Sequence, residues 1–176
     1  ARMLANGPKM PTKEHDPIAT RPGHISQLDL WKPPCVSILG DTTMASIYDN
    51  YSADFEFYPL GLKSDTPKAV DRYFRDAKLV GVDVDKCGIL YRDNEIVLNS
   101  VAMAETEAEH DRVPGNSNEY EPWQNAGVES TYRYGPAEMR KLHARSGVPD
   151  VFWNFSAMTA AQLLRFTRER EDGKSP

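Results

Sequence analysis

The fold prediction depends on two stretches of the chain, VDRYFRDAKLVGVDVD at residues 70–85 and EMRKLHARSGVPDVFWN at residues 138–154. In each stretch, apolar residues at helical spacing lead into a glycine, which is followed by a branched residue and an aspartate. A glycine in this place adopts the left-handed conformation that ends a helix. An aspartate just beyond it can cap the next helix. The two stretches therefore predict repeated helix–turn–helix units.

The clearest helix boundaries lie within or beside these stretches. Thr66-Pro67 pairs a capping hydroxyl with a proline at the first helical position, so a helix is predicted over residues 66–80, ending at Gly81. A second helix is predicted over residues 136–146, ending at Gly147. Phe74 of the first helix and Leu142 of the second are expected on the buried faces.

The remaining segments after residue 40 favour further helices. Apolar residues from Met44 to Tyr51 fall at i, i+3, i+4 and i+7, which indicates one helix. Others are predicted from Asn94 into an acidic stretch at residues 105–111, over residues 121–134, and over residues 150–170. The acidic stretch fits a solvated helix face or a docking patch. Residues 54–64 fit a short strand or a packed loop, because Pro59 and Gly61 interrupt them.

These segments predict three regions along the chain. Six of the 13 prolines lie in residues 1–40, which are expected to form an extended arm with a short helical turn around residues 25–31. Residues 41–172 are expected to form an all-α domain of six to seven helices. Residues 173–176 are expected to be a disordered tail. Candidate anchors for a partner are Leu30 and Trp31 in the arm and Trp123 near a helix start.

Composition narrows the classes of function. The 176 residues hold 21 Lys and Arg against 26 Asp and Glu, a formal net charge of −5, which disfavours nucleic-acid binding. The two cysteines, Cys35 and Cys87, stand far apart and outside any metal-ligand cluster. The chain shows no recognised catalytic or phosphate-binding motif. No catalytic residue, cofactor or metal ligand is predicted, and the chain is expected to be non-catalytic.

The glycine-ended stretches resemble the pentatricopeptide repeat, a helix pair of about 35 residues. Gly81-Val82-Asp83-Val84-Asp85 and Gly147-Val148-Pro149-Asp150 resemble the end of its second helix, and residues 151–154 resemble the opening of the next unit. The resemblance implies a short stack of helix pairs, a solenoid that binds a macromolecule. It also implies RNA reading near Asp150 and Asn154, although Asp150 fits a plain helix cap.

Two functions follow from this resemblance. The first is a structural accessory subunit of a larger mitochondrial protein complex. A short, acidic chain starting at Ala1 is similar to the extra helical subunit on the F1 part of the trypanosome and euglenid ATP synthase. Its partner would then be the F1 alpha subunit and its location the mitochondrial matrix. The alternative is an organellar RNA-binding protein, which is disfavoured by the charge. No apolar run reaches the roughly 20 residues that span a bilayer.

Overall fold

A computed structural model describes residues 17–93, 96–116 and 126–167. Its strands form one five-stranded mixed sheet in the order β3-β2-β1-β4-β5. The first three strands pair antiparallel, whereas β1 with β4 and β4 with β5 pair parallel. The strands are β1 (Ile25–Trp31), β2 (Thr43–Asp49), β3 (Phe55–Leu60), β4 (Gly88–Arg92) and β5 (Arg112–Asn116).

Helices cover both faces of this sheet. The α-helices are α1 (Thr66–Leu79), α2 (Val101–Glu109), α3 (Ala126–Ser146) and α4 (Trp153–Thr167). Side chains on successive residues of a strand point to opposite faces. Ala45 of β2 accordingly packs into the core beneath α1 and α2, whereas Met44 packs into a second core beneath α3 and α4.

The predicted all-α stack of helix pairs is wrong, because the chain folds around a sheet. The expected helical turn at residues 25–31 is β1, the middle strand, and the helix expected from Met44 to Tyr51 is largely β2. The apolar spacing of that second segment predicted a helix wrongly, because a short apolar run fits both the helical period of 3.6 residues and the strand period of two. In the fold, Met44 and Ile47 lie in cores on opposite faces of the sheet.

Several local predictions hold within this different fold. Helix α1 starts at Thr66 with Pro67 in its first turn and is followed by Gly81 at φ +86°. Residues 136–146 are the second half of α3, which ends before Gly147 at φ +69°. The segment at 54–64 contains β3, so the strand alternative is confirmed.

The expected break at Gly135-Pro136 is absent, since both residues lie inside α3. A side chain on Gly135 would collide with the ring of Phe57, so this glycine allows the helix to approach β3 closely. The helix expected over 121–134 therefore joins the next one from residue 126 onward, and residues 121–125 lie outside the described part. The tail at 173–176 lies outside it too. No described helix combines the length and apolar character needed to cross a membrane.

Candidate functional site

Two carboxylates occupy neighbouring positions where the sheet changes from antiparallel to parallel pairing. The parallel pairing of β1 with β4 ends at Leu28 opposite Arg92, so Asp29 of β1 and Asp93, which directly follows β4, are the next residues along the two chains. Leu28 packs into the core beneath α1, and Arg92 reaches Glu107 of α2. By alternation, Asp29 and Asp93 face the opposite side, towards α3.

Glu129 brings a third carboxylate to this place from the first turn of α3. Two polar contacts fix the start of α3 on the sheet. The backbone N–H of Val128 donates to Gln27 Oε1 at 2.8 Å, and the hydroxyls of Ser46 and Thr131 lie 2.8 Å apart. Gln27 lies two residues before Asp29 on the same face of β1, so its contact with Val128 places the start of α3, which carries Glu129, on the Asp29 face of the strand.

The charges of Asp93 and Glu129 both act on the Asp29 carboxyl. Burial raises the pKa of the Asp29 carboxyl, and the negative charges of Asp93 and Glu129 raise it further. The Leu30 backbone N–H, which donates to Asp29 Oδ1 at 2.7 Å, lowers it, as does the nearby Tyr132 hydroxyl. Asp29 is half-buried, whereas Asp93 and Glu129 are exposed. The arrangement concentrates negative charge at an accessible edge, which favours a cation there.

A buried ion pair fixes the end of β4 beside Asp93. Arg92 Nε donates to Glu107 Oε1 at 2.7 Å, and its Nη1 donates to Asn99 Oδ1 at 2.6 Å. The Arg92 and Glu107 side chains are 6% and 3% exposed. Glu107 belongs to the acidic stretch at 105–111, so this member of it is neither solvated nor part of a docking patch. Its partner instead anchors the strand that ends at the site.

The donor set is chemically suited to a hard divalent cation. Magnesium and manganese prefer carboxylate oxygens, and three carboxylates supply them here. Across the described ranges, no three His, Cys, Asp or Glu side chains converge closely enough to form a metal cage as they stand. The case for a divalent cation here therefore rests on the oxygen donors and on the repulsion of Asp29 by the neighbouring carboxylates, which a cation would relieve.

The predicted partner anchors lie elsewhere. Leu30 and Trp31 stand at the end of β1, half-buried and packed against the two cores on opposite faces of the sheet. Trp123 lies outside the described residues. No observation tests these three as partner-binding residues. Asn154 is 3% exposed and donates to Asp41, so it does not face a ligand, and the Asp150 carboxylate contacts His143.

Three solved structures share the fold. The catalytic core domain of HTLV-2 integrase in complex with magnesium superposes with a TM-score of 0.65 at 14% identity, over 89% of this chain and 95% of that one. The integrase core of BIV gives 0.65 at 13% identity, over 88% and 91%. A simian T-cell lymphotropic virus intasome in complex with a PP2A regulatory subunit gives 0.72 at 14% identity, over 97% and 59%.

These likenesses define the fold as that of retroviral integrase catalytic cores, a mixed α/β fold of the RNase H type. No protein-family profile and no curated protein sequence matches the chain. At this identity the likeness establishes the architecture, and activity is a separate question.

The resemblance to pentatricopeptide proteins is therefore wrong, and the functions drawn from it fall as well. An F1-associated ATP synthase subunit and a repeat-type RNA-binding protein both required stacked helix pairs, whereas this chain has a central sheet. The helix endings at Gly81 and Gly147 are real but general, because many helices end at a left-handed glycine. The mitochondrial location stays an untested prediction.

Asp29, Asp93 and Glu129 were not predicted from the sequence. A signal existed for the first two, because each belongs to a short segment with strand character, ISQLDLW or GILYRD. Ligands of open α/β sheets bind at the carboxyl ends of the parallel strands, so acidic residues at those ends are candidate ligand-binding residues. Glu129 carried no such signal, since it lies in a helix whose position depends on the whole sheet.

Proposed function

We propose that this chain is a divalent-metal-dependent domain that cleaves or transfers phosphodiester bonds of nucleic acid, in the manner of an integrase or nuclease. The observation that carries the proposal is the position of Asp29 and Asp93 on neighbouring strands, with the charges of Asp93 and Glu129 both acting on the Asp29 carboxyl. The shared fold supports it, because one solved relative is an integrase core in complex with magnesium.

The proposed reaction is attack by water or a hydroxyl group on a phosphodiester phosphorus, with departure of one ester oxygen. Asp29, Asp93 and Glu129 would hold the cation. When bound, a divalent cation of this kind neutralises charge on the phosphoryl oxygens and lowers the pKa of an attacking water.

The other residues of the site act by positioning. Gln27 holds the start of α3, and therefore Glu129, against β1. The Arg92–Glu107 ion pair fixes the strand end that presents Asp93. The Leu30 backbone N–H orients Asp29. Rigid support of this type is what lets carboxylates from three separate segments act together.

Cleavage of a labelled DNA duplex in magnesium or manganese tests the proposal. Replacing one carboxylate removes a ligand and its charge, so Asp29→Asn, Asp93→Asn and Glu129→Gln should each lower the rate by at least about 100-fold, equivalent to roughly 2.7 kcal/mol of barrier. The matched control is Glu105→Gln, an exposed carboxylate on α2 that lies outside the site. It should leave the rate unchanged.

A different result would refute the proposal. If the wild-type chain binds neither magnesium nor manganese, or if its metal-dependent cleavage survives all three substitutions, the carboxylates are not the centre proposed here. The expectation of a non-catalytic chain is then the better account. Metal binding should be measured directly by calorimetry, so that an inactive but metal-binding domain is distinguished from one that lacks the site.

A further inference from the structure

A cleft of about 240 Å³ lies between the end of β1, the second half of α3 and the start of α4. Its apolar walls are formed by Trp31 of β1, Pro136 and Met139 of α3, and Trp153 of α4. Met139 and Trp153 are buried, and the Trp153 Nε1–H donates to the Cys35 carbonyl at 2.9 Å. That hydrogen bond fixes the indole, so the cleft has an aromatic interior with one rigid wall.

The cleft lies on the same side of the sheet as the three carboxylates. Trp31 follows Asp29 by two residues on β1, so both side chains face α3, about 7 Å apart along the strand. On α3, Pro136 and Arg140 follow Glu129 by two and three helical turns and share its face of the helix. A strand and a helix therefore both lead from the carboxylates to the cleft.

The rim of the cleft carries charged groups of both signs. Arg140 is exposed and forms no ion pair within the described part of the chain. Asp150 is 84% exposed, and its Oδ1 lies 3.1 Å from His143 Nδ1, which holds the carboxylate at the rim. A free guanidinium attracts a phosphate group, and a carboxylate accepts hydrogen bonds from an amino group.

A nucleotide base matches this combination of walls and rim. It has a flat π-face for stacking, donors and acceptors along its edge, and a phosphate close by. Unstacked bases commonly stack on aromatic side chains and form hydrogen bonds through their edges. The cleft is smaller than the roughly 300–1,000 Å³ of pockets for drug-sized ligands, so its size suits one base.

We propose that this cleft binds one unstacked base of a nucleic-acid strand, with the base stacked on Trp31 and a phosphate of the strand paired with Arg140. The inference rests on the proposed function, because it places the base beside the phosphodiester held at Asp29, Asp93 and Glu129. Base stacking needs no cation, so this binding can be measured separately from metal binding and cleavage.

The test measures binding of a fluorescently labelled, single-stranded oligothymidylate to the whole chain by anisotropy, at low salt and with EDTA present. Trp31→Leu keeps an apolar side chain but removes the aromatic face, so the strand should bind roughly five- to tenfold more weakly. Trp31→Phe keeps a stacking surface and should bind close to the wild type. The matched control is Phe166→Leu, an aromatic-to-leucine change at a position 80% exposed and outside the cleft, which should leave binding unchanged.

A strand of the same length without bases isolates the contribution of stacking. The wild type should bind this abasic strand more weakly than oligothymidylate, whereas Trp31→Leu should bind the two strands about equally. Arg140→Gln should weaken binding of both strands alike, because it removes a phosphate contact. Its control is Arg145→Gln, an exposed arginine on another face of α3, which should have little effect.

Equal binding of the two strands by the wild type overturns the inference without recourse to any variant. Equal affinities of Trp31→Leu and Trp31→Phe, both folded by their melting temperatures, overturn it as well, while the proposed function stands. Binding that depends on Trp31 in a chain without metal-dependent cleavage overturns the proposed function and supports the base cleft. Absence of strand binding, with or without manganese, overturns both.

Discussion

On the side of the sheet covered by α1 and α2, strand residues such as Leu28 and Ile47 pack against Phe74 in an apolar core. On the α3 side, the neighbouring positions Gln27 and Ser46 instead make hydrogen bonds with the helix. Both sides have an apolar core, but on the α3 side hydrogen bonds also join the helix to the strands. Apolar packing tolerates small shifts, whereas a hydrogen bond fixes direction and distance.

The difference places the carboxylates on the side with directional contacts. The proposed metal site requires the first turn of α3 to hold Glu129 near Asp29 and Asp93, and the polar contacts fix the start of that helix on the sheet. Stability and metal binding should therefore separate by side. Substitutions in the α1 core should lower stability with little effect on the cation, whereas those on the α3 side should change cation affinity as well.

The largest stability loss is expected from Phe74→Ala on the apolar side. The ring is fully buried, so its removal leaves a cavity and should cost roughly 3–5 kcal/mol of unfolding free energy in a denaturant melt. Phe166→Ala, at a position 80% exposed, is the matched control and should cost little. Below the melting transition, the Phe74 variant should still bind Mn²⁺. Loss of binding in the folded variant would break the comparison.

Gln27→Met should give a smaller loss of stability with a functional effect. The change keeps the length of the side chain but leaves the buried Val128 N–H without its acceptor, which costs about 1–3 kcal/mol. Because the start of α3 is then less firmly held, Mn²⁺ binding should also weaken. The control is Gln162→Met on the exposed face of α4. Unchanged Mn²⁺ affinity would mean that this contact serves stability alone.

The smallest effect is expected from the hydroxyl pair of Ser46 and Thr131. A double-mutant cycle of Ser46→Ala and Thr131→Val should give a coupling energy of about 0.5–1.5 kcal/mol in denaturant melts, as for a neutral buried hydrogen bond. Such a value would show that the α3 side is held by several modest contacts. A coupling near zero would leave Gln27 as the principal tie.

Sequence alone predicted the helices whose ends carry local signals. Thr66-Pro67 and Gly81 determine the start and the end of a helix through contacts with residues close by in the sequence. The bounds of α1 could therefore be predicted from them. Gly135 was predicted to interrupt the helix, because glycine weakens helices. In the fold it lies within α3, where the absence of a side chain lets the helix pack closely against Phe57. That neighbour is known only from the tertiary structure.

Most strands and the candidate site could not be predicted from such local signals. β1 is seven residues long and lies in a segment bordered by prolines. The prolines indicated an extended arm, so the strand was not predicted. Glu107 looked solvated among other acids, because its partner Arg92 is placed by pairing between distant strands. Asp29, Asp93 and Glu129 are likewise neighbours only through the sheet, and no short motif joins them.

The parallel pairing of β1 with β4 has a further consequence for how the chain avoids misfolding. A slip of β1 by one residue would turn Asp29 into the apolar core beneath α1 and bring Leu28 or Leu30 to the edge beside Asp93. Burying a carboxylate in that core is strongly unfavourable. The charge of Asp29 therefore selects the correct strand alignment during folding, because a chain with β1 shifted by one residue would have to bury that charge.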